Sequence, residues 1–268
     1  MSNKTVDLYV KLKQEFGADA KLLFRVIRSP DYQKIVQDLV AYTGLSFDEV
    51  CQRIVLKADQ RRHFVEEFKW ENPSSINELN WFYRSNRGYL FGNAARPVWS
   101  MLDILNPKVH SPVLDFGGGV GNNSLWLAEQ GFQVIYFDIS IIQSDFVRFR
   151  AMQRELGLFS ILQPYCQGRF NFIESLPMGV RAVVMQDVLE HLPNYRTVLA
   201  AIVERLHVGG LIIEYSPFNG KSQGKKIPRY SPVHFVEEYP LEKAMTELKM
   251  EKTELGRYPA TVWRKGTS

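Results

Sequence analysis

With 268 residues, 45% of them hydrophobic, the chain can bury one substantial core and leave enough over for a cap or small second domain, which excludes disorder as the default. Charges of both signs are interspersed and the formal net charge is only +4, too mild to call for a nucleic-acid partner. The two cysteines, Cys51 and Cys166, stand far apart and exclude a disulfide framework or zinc ribbon.

Reduced cysteines fit a cytoplasmic setting. Residues 1–19 carry charges throughout, unlike a signal peptide, and no stretch approaches the roughly 20 apolar residues that cross a bilayer, so a soluble protein without a membrane partner is expected. Oligomeric state is not readable.

The first hundred residues predict helix after helix. Leu22, Leu23, Val26 and Ile27 form one apolar face. Ser29-Pro30 then starts a second helix, with Ser29 as N-cap and Pro30 at the first helical position, and Ile35, Leu39 and Val40 continue it until Gly44. Ser46-Phe47-Asp48-Glu49 is a capping box, and it opens a long helix to about Lys69. Turn formers over 70–75 break the pattern. Trp81, Phe82, Tyr83, Tyr89, Leu90 and Phe91 then crowd around Arg84 and Arg87. This cluster has two readings: an aromatic hinge that is simply core, or a ligand pocket lined by Tyr83, Arg84 and Tyr89.

From about Pro107 short apolar runs alternate with helical segments, the pattern of a parallel sheet with crossover helices. The runs are 112–116, 134–137, 182–185 and 211–215. The organisation expected is a helical cap or substrate-binding segment over 1–105 and an α/β domain over 106–268.

The run Val113-Leu114-Asp115-Phe116 leads into Gly117-Gly118-Gly119-Val120-Gly121. Asn122, Asn123 and Ser124 offer N-caps to the helix that follows, and Gly131 closes it as the C′ residue. The next strand ends at Asp138. Strand, glycine turn, helix, strand and acid is how an adenine nucleoside is held at the carboxyl edge of a doubly wound sheet, with the acid on the ribose hydroxyls. A dinucleotide fingerprint fails here, because its third glycine would fall on Asn122. Asp115 would also repel a pyrophosphate, whereas a ligand carrying an ammonium and a sulfonium tolerates it.

These residues resemble the first two motifs of class I S-adenosylmethionine-dependent methyltransferases. The resemblance extends to Asp187-Val188-Leu189-Glu190-His191-Leu192-Pro193 and to Gly209-Gly210-Leu211-Ile212-Ile213-Glu214, and so covers about 107–268. It implies a Rossmann-like, doubly wound, seven-stranded sheet with a final reversed strand, its last two strands over 248–257 and 261–265. It also implies S-adenosyl-L-methionine as cofactor, held by Asp115, Gly117, Gly118, Gly119, Gly121, Asp138, Ile139, Gln186 and Asp187. Many relatives carry an Asp after the third strand for the adenine amino group; this chain has none there, which leaves Asn171 or backbone groups.

Methyl transfer from a sulfonium needs alignment more than an unusual catalytic group, but a hydroxyl or amine acceptor benefits from a base. His191 and His234 are the histidines in the right half of the fold. His191 can equally be structural in the turn after the fourth strand. Asp187, Glu190 and His191 also resemble the metal site of some O-methyltransferases, since i, i+3 and i+4 share one helical face; the cofactor assignment itself calls for no metal. Tyr215 and Phe218 are expected in the acceptor pocket.

The helical segment before the sheet suggests a cap over a small-molecule acceptor, methylated on oxygen or nitrogen as in metabolite and natural-product chemistry. Two rivals stand beside that reading. One is a methyltransferase for RNA or a peptide guided by the run Lys221, Lys225, Lys226 and Arg229, which as a bland alternative is a solvated loop. The other is a cofactor-binding subunit that does no chemistry.

Overall fold

The computed structural model describes residues 14, 30–54, 88–94, 96–156, 159–162, 176–192, 195–218, 221–222, 225–226, 240–257 and 259–266. Leu22, Leu23, Val26, Ile27, Ser29, the break at 70–75, Trp81, Phe82, Tyr83, Arg84, Arg87, Asn171, Arg229 and His234 lie outside them.

Helix α1 (Pro30–Thr43) begins on the expected proline. Gly44 ends it at φ +72, its N–H donating to the Val40 carbonyl at 2.9 Å. The capping box forms: Glu49 N–H donates to Ser46 Oγ at 3.3 Å, Ser46 N–H donates to Glu49 Oε2 at 2.9 Å, and residues 47–54 are helical. Helix α2 (Gly88–Ala94) brings Leu90 and Phe91 against Ile35, Val36, Leu39, Val50, Cys51 and Ile54, and Val120 and Phe146 of the α/β part complete this cluster. The aromatic crowding is therefore core at Leu90 and Phe91. Burial pushes the Cys51 thiol up to about 11, which keeps it protonated and inert.

A 3-10 turn (Ser100–Ile104) and α3 (Pro107–His110) lead to the sheet. Then come β1 (Val113–Phe116), α4 (Asn122–Glu129), β2 (Val134–Phe137), α5 (Ile141–Gln153) and β3 (Phe159–Leu162). After these follow β4 (Val180–Gln186), a 3-10 turn (Leu189–His191), α6 (Tyr195–Arg205) and β5 (Leu206–Tyr215). The chain closes with β6 (Lys221–Ser222), β7 (Lys225–Lys226), α7 (Leu241–Glu247), β8 (Met250–Lys252) and β9 (Thr261–Lys265).

One mixed sheet takes seven of these strands in the order β3-β2-β1-β4-β5-β9-β8. β1 to β5 pair in parallel, and β9 runs antiparallel to both neighbours. β6 and β7 form a separate hairpin with Lys221 opposite Lys226, where a loop was expected. Several strands differ in bounds from the sequence reading: β4 begins at Val180, and β8 covers only Met250–Lys252 of the expected 248–257. β3 is a four-residue edge strand outside the expected runs. β5 starts at Leu206 instead of Leu211, its added residues separated from the main register by an irregularity between Val180 and Ala182.

Side chains alternate across the sheet with period two. Leu114, Phe116, Val183, Met185 and Ile212 face α6 and α7, whereas Val113, Ala182, Val184, Leu211 and Ile213 face α4 and the segment containing Trp99, Met101, Leu102 and Leu105. Those last four residues precede the boundary expected at 105/106 yet share the core of the sheet. Cover on both faces explains why the central strands read as near-continuous apolar runs. Among the described residues no helix is long and apolar enough to cross a membrane.

Gly131 ends α4 as expected, at φ +84. Its N–H donates to the Ala128 carbonyl at 3.0 Å and that of Phe132 to the Leu127 carbonyl at 3.1 Å, the paired bonds of a Schellman closure. A Cβ there meets nothing within 4 Å, so Gly131→Ala tests backbone strain alone. Urea unfolding should show a loss of about 1–2 kcal/mol, with an unchanged slope and unchanged ligand affinity.

Candidate functional site

The parallel strands β1, β2, β4 and β5 end at Phe116, Phe137, Gln186 and Tyr215. β1 lies between β2 and β4, so crossovers leave it in opposite directions and open a crevice at the carboxyl edge, the usual ligand site of an open α/β sheet.

The glycine turn fills that edge. Gly117 and Gly118 donate their N–H groups to the Phe137 carbonyl at 2.7 and 3.2 Å, and Tyr136 Oη donates to the Gly119 carbonyl at 2.6 Å. The turn is thus shaped by the end of β2. A Cβ at Gly118 would come within 2.7 Å of the Tyr136 ring and 2.9 Å of an Asp115 carboxylate oxygen. Protein packing, as well as ligand approach, excludes side chains from this turn.

Asn122, Asn123 and Ser124 do not cap α4, contrary to expectation. The N-cap is Gly121, at φ +76 and without a side-chain cap bond. The three polar side chains are drawn into tertiary contacts. Asn122 Nδ2 donates to the Arg96 carbonyl at 2.7 Å. Asn123 Oδ1 accepts from Trp99 N–H at 2.9 Å while its Nδ2 donates to Gln186 Oε1 at 3.2 Å. Ser124 Oγ donates to Asp115. The first turn of α4 therefore holds residues 96–99 across the carboxyl edge and links them to β4.

Asp115 and Asp138 are 3% and 8% exposed. Asp138 Oδ2 accepts from Gly119 N–H and Oδ1 from Ser140 N–H, both at 2.8 Å; the backbone of Ile139, itself half-buried, adds to this set. Burial pushes both carboxyls up to about 6, opposed by those donors and, at Asp115, by the Ser124 hydroxyl; the charge of Asp138 raises Asp115 further. Among the described residues no basic side chain pairs with either carboxylate. Two buried acids flanking a turn of backbone N–H groups favour a cationic ligand and disfavour a pyrophosphate.

Asp187 follows β4 in the left-handed region at φ 55, its N–H donating to the Tyr215 carbonyl at 2.8 Å. Its Oδ2 is ion-paired with Arg96 Nη1 at 2.9 Å. Glu190 is fully buried, and among the described residues neither of its oxygens has a hydrogen-bond partner. Burial first, and the Asp187 charge second, hold its carboxyl well above the usual range. His191 Nε2 lies 3.9 Å from Glu190 Oε1.

Among the described residues no group of three His, Cys, Asp or Glu side chains could hold a metal. The shared helical face expected for Asp187, Glu190 and His191 does not form, because only Leu189–His191 is a 3-10 turn and Asp187 sits on the strand end, paired with Arg96.

Of the expected acceptor residues, Tyr215 is half-buried at the end of β5. Phe218 is buried, its ring 5.1 Å from the Tyr195 ring. Tyr89 belongs to α2 by its backbone, and Tyr83, Arg84, Asn171 and His234 lie outside the described residues.

Arg96, Tyr136 and Arg150 were not anticipated, and Asn123 was expected only as an N-cap. Arg150 is 2% exposed in α5, where the sequence shows only a charged residue in a helix. Arg96 precedes a proline in a connecting segment with no motif. Tyr136 stood in an expected strand, and alternation with Phe137 placed it on the face beneath the turn, so that contact alone was within reach.

A family model described as a methyltransferase domain matches residues 87–225, more than half of the chain. No curated protein matches it. Among solved structures, the chain is similar to a SAM-dependent methyltransferase from Methanosarcina mazei at 17% identity, over 65% of this chain and 100% of that one, with a TM-score of 0.46. It is also similar to TehB from Haemophilus influenzae at 21% identity, over 62% and 61% of the two chains, with a TM-score of 0.44. A third is an O-methyltransferase of a polyketide synthase multienzyme from Brevibacillus brevis, in complex with S-adenosyl-L-homocysteine, at 22% identity, over 42% and 37%, with a TM-score of 0.36. The chain belongs to the methyltransferase-domain family, whose model spans the glycine turn and the four central parallel strands, and it is a methyltransferase.

Proposed function

We propose that the chain methylates oxygen or nitrogen of a small organic acceptor, with the helical residues before the sheet serving as a cap over the site. The observation that carries the cofactor assignment is the buried pair Asp115 and Asp138, which flanks the glycine turn without a cationic side chain among the described residues. In this reading Asp138 accepts from the ribose hydroxyls, each of its oxygens having a lone pair left after the backbone bonds. Asp115 supports the turn from beneath and supplies negative potential to the methionine part. Gly117, Gly118, Gly119, Gly121 and Ile139 line the cradle with backbone, and Gln186 and Asp187 border it.

When bound, S-adenosyl-L-methionine supplies a methyl group on a cationic sulfur, open to in-line attack. The chain's own contribution is alignment and exclusion of water. Tyr215 borders the acceptor side. His191 is assigned as acceptor of the proton that a hydroxyl or ammonium gives up, and His234 is the second candidate. The mild net charge of +4 and the helical segment before the sheet support a small acceptor over RNA or a peptide. An acceptor screen with labelled methyl donor tests this; transfer to RNA alone, lost steeply with rising salt, would overturn it.

Calorimetric titration should show S-adenosyl-L-methionine binding and NAD failing to bind. Asp138→Ala should bind the cofactor at least tenfold more weakly, since each charge-assisted hydrogen bond contributes roughly 1.5–3 kcal/mol.

Affinity should also depend on pH. The ionised carboxylates favour a cation, and with both groups near 6 a fall from pH 7 to 5 should weaken binding about tenfold for each carboxylate that must ionise. The ligand-free fold should show the opposite sign. Its two carboxyls sit above their ordinary 3.8, so the unfolded chain loses its protons first as pH rises, and their contribution to stability falls between about pH 4 and 6. Flat affinity across this range would exclude the two carboxylates as the ligand's counter-charges.

A further inference from the structure

Helix α5 presents one face to the underside of the glycine turn. Gln143, Val147 and Arg150 are spaced i, i+4 and i+7, so they share that face. A Cβ on Gly119 would lie 3.3 Å from Gln143 Oε1, and one on Gly121 2.7 Å from Val147. Arg150 goes further. Its Nη1 donates to the Val120 carbonyl at 2.5 Å and to Asn122 Oδ1 at 2.8 Å, one contact in the middle of the turn and the other at the start of α4.

The same guanidinium reaches the opposite way, where its Nε donates to Asp38 Oδ2 of α1 at 2.8 Å. Arg154 Nη2 meets that oxygen at 2.7 Å, and Arg154 Nη1 meets Glu129 at 2.9 Å. Among the described residues, Asp38, Arg154 and Glu129 are the charged groups facing Arg150, and only Asp38 is a direct counter-ion.

We propose that Arg150 is a positioning residue through which docking of α1 sets the affinity of the glycine turn for the cofactor. This rests on the reading of that turn as the cofactor's cradle. A guanidinium only 2% exposed is tolerated because Asp38 neutralises it. Without Asp38 the charge must turn toward water, and turning withdraws its N–H groups from Val120 and Asn122. The turn then loses the donors that fix its shape before the ligand arrives. Linkage makes the effect reciprocal, so a ligand that orders the turn holds Arg150 and through it α1.

The test is a double-mutant cycle on the full chain, read by calorimetry with S-adenosyl-L-methionine. Asp38 does not touch the turn, yet Asp38→Ala should raise Kd about fivefold to twentyfold, within the usual range of coupling between sites. In an Arg150→Leu background the same change should leave Kd within twofold. A merely structural role would lower thermal stability in both backgrounds and leave Kd alone, which would overturn the proposal. A second measurement needs no variant. Saturating cofactor should slow amide hydrogen exchange across residues 30–43 of the wild-type chain, and unchanged exchange there would overturn the coupling. Failure of the wild-type chain to bind the cofactor would remove the cradle reading and this proposal together, whereas binding without coupling would remove only the latter.

Discussion

The carboxylate of Asp138 is the contact on which the carboxyl edge depends. It closes β2 and at once accepts from Gly119 in the turn after β1 and from Ser140 at the start of α5. One side chain thus fixes the relative position of two strand ends and a helix start. Asp115 does the equivalent work one strand over, tying β1 to Ser124 of α4. Burial of both acids is costly to the ligand-free protein, and that cost is what a cationic ligand can relieve. Organisation of the turn and preference for a cation therefore have one origin.

Much of this was readable in the sequence where a local rule acts alone. The capping box at Ser46 and Glu49, the proline start of α1, the glycine stops at Gly44 and Gly131, and β2 over 134–137 depend on a few neighbouring residues. Strand, glycine turn, helix, strand and acid is likewise contiguous, and its residues do converge at one edge.

What stayed hidden is non-local. Asn122, Asn123 and Ser124 match the residue types of N-caps, yet Gly121 alone supplies the left-handed entry and frees them for tertiary bonds. Their partners are Arg96, Trp99, Gln186 and Asp115, up to 63 residues away in sequence. Arg150 reads as an ordinary helical charge, because its counter-ion lies 112 positions earlier. The short β3 escaped detection because four residues at a sheet edge carry too little periodicity to separate a strand from a connecting segment.

A second group of acids comprises Asp187 and Glu190, which follow β4, and Glu214, which lies on β5. Asp187 adopts a left-handed conformation that Asp tolerates better than most residues, and the turn it makes allows Arg96 to reach across from the segment held by Asn122 and Asn123. Glu190 lies behind it, buried and shifted toward its neutral form, while burial pushes Glu214 on β5 up to about 7. Arg96 pairs with Asp187, while Glu190 and Glu214 are both held above their ordinary range chiefly by burial, opposed at Glu190 by the charge of Arg96 and at Glu214 by hydrogen bonds from Thr261, Ser216 and Trp263 and by the charge of Lys252.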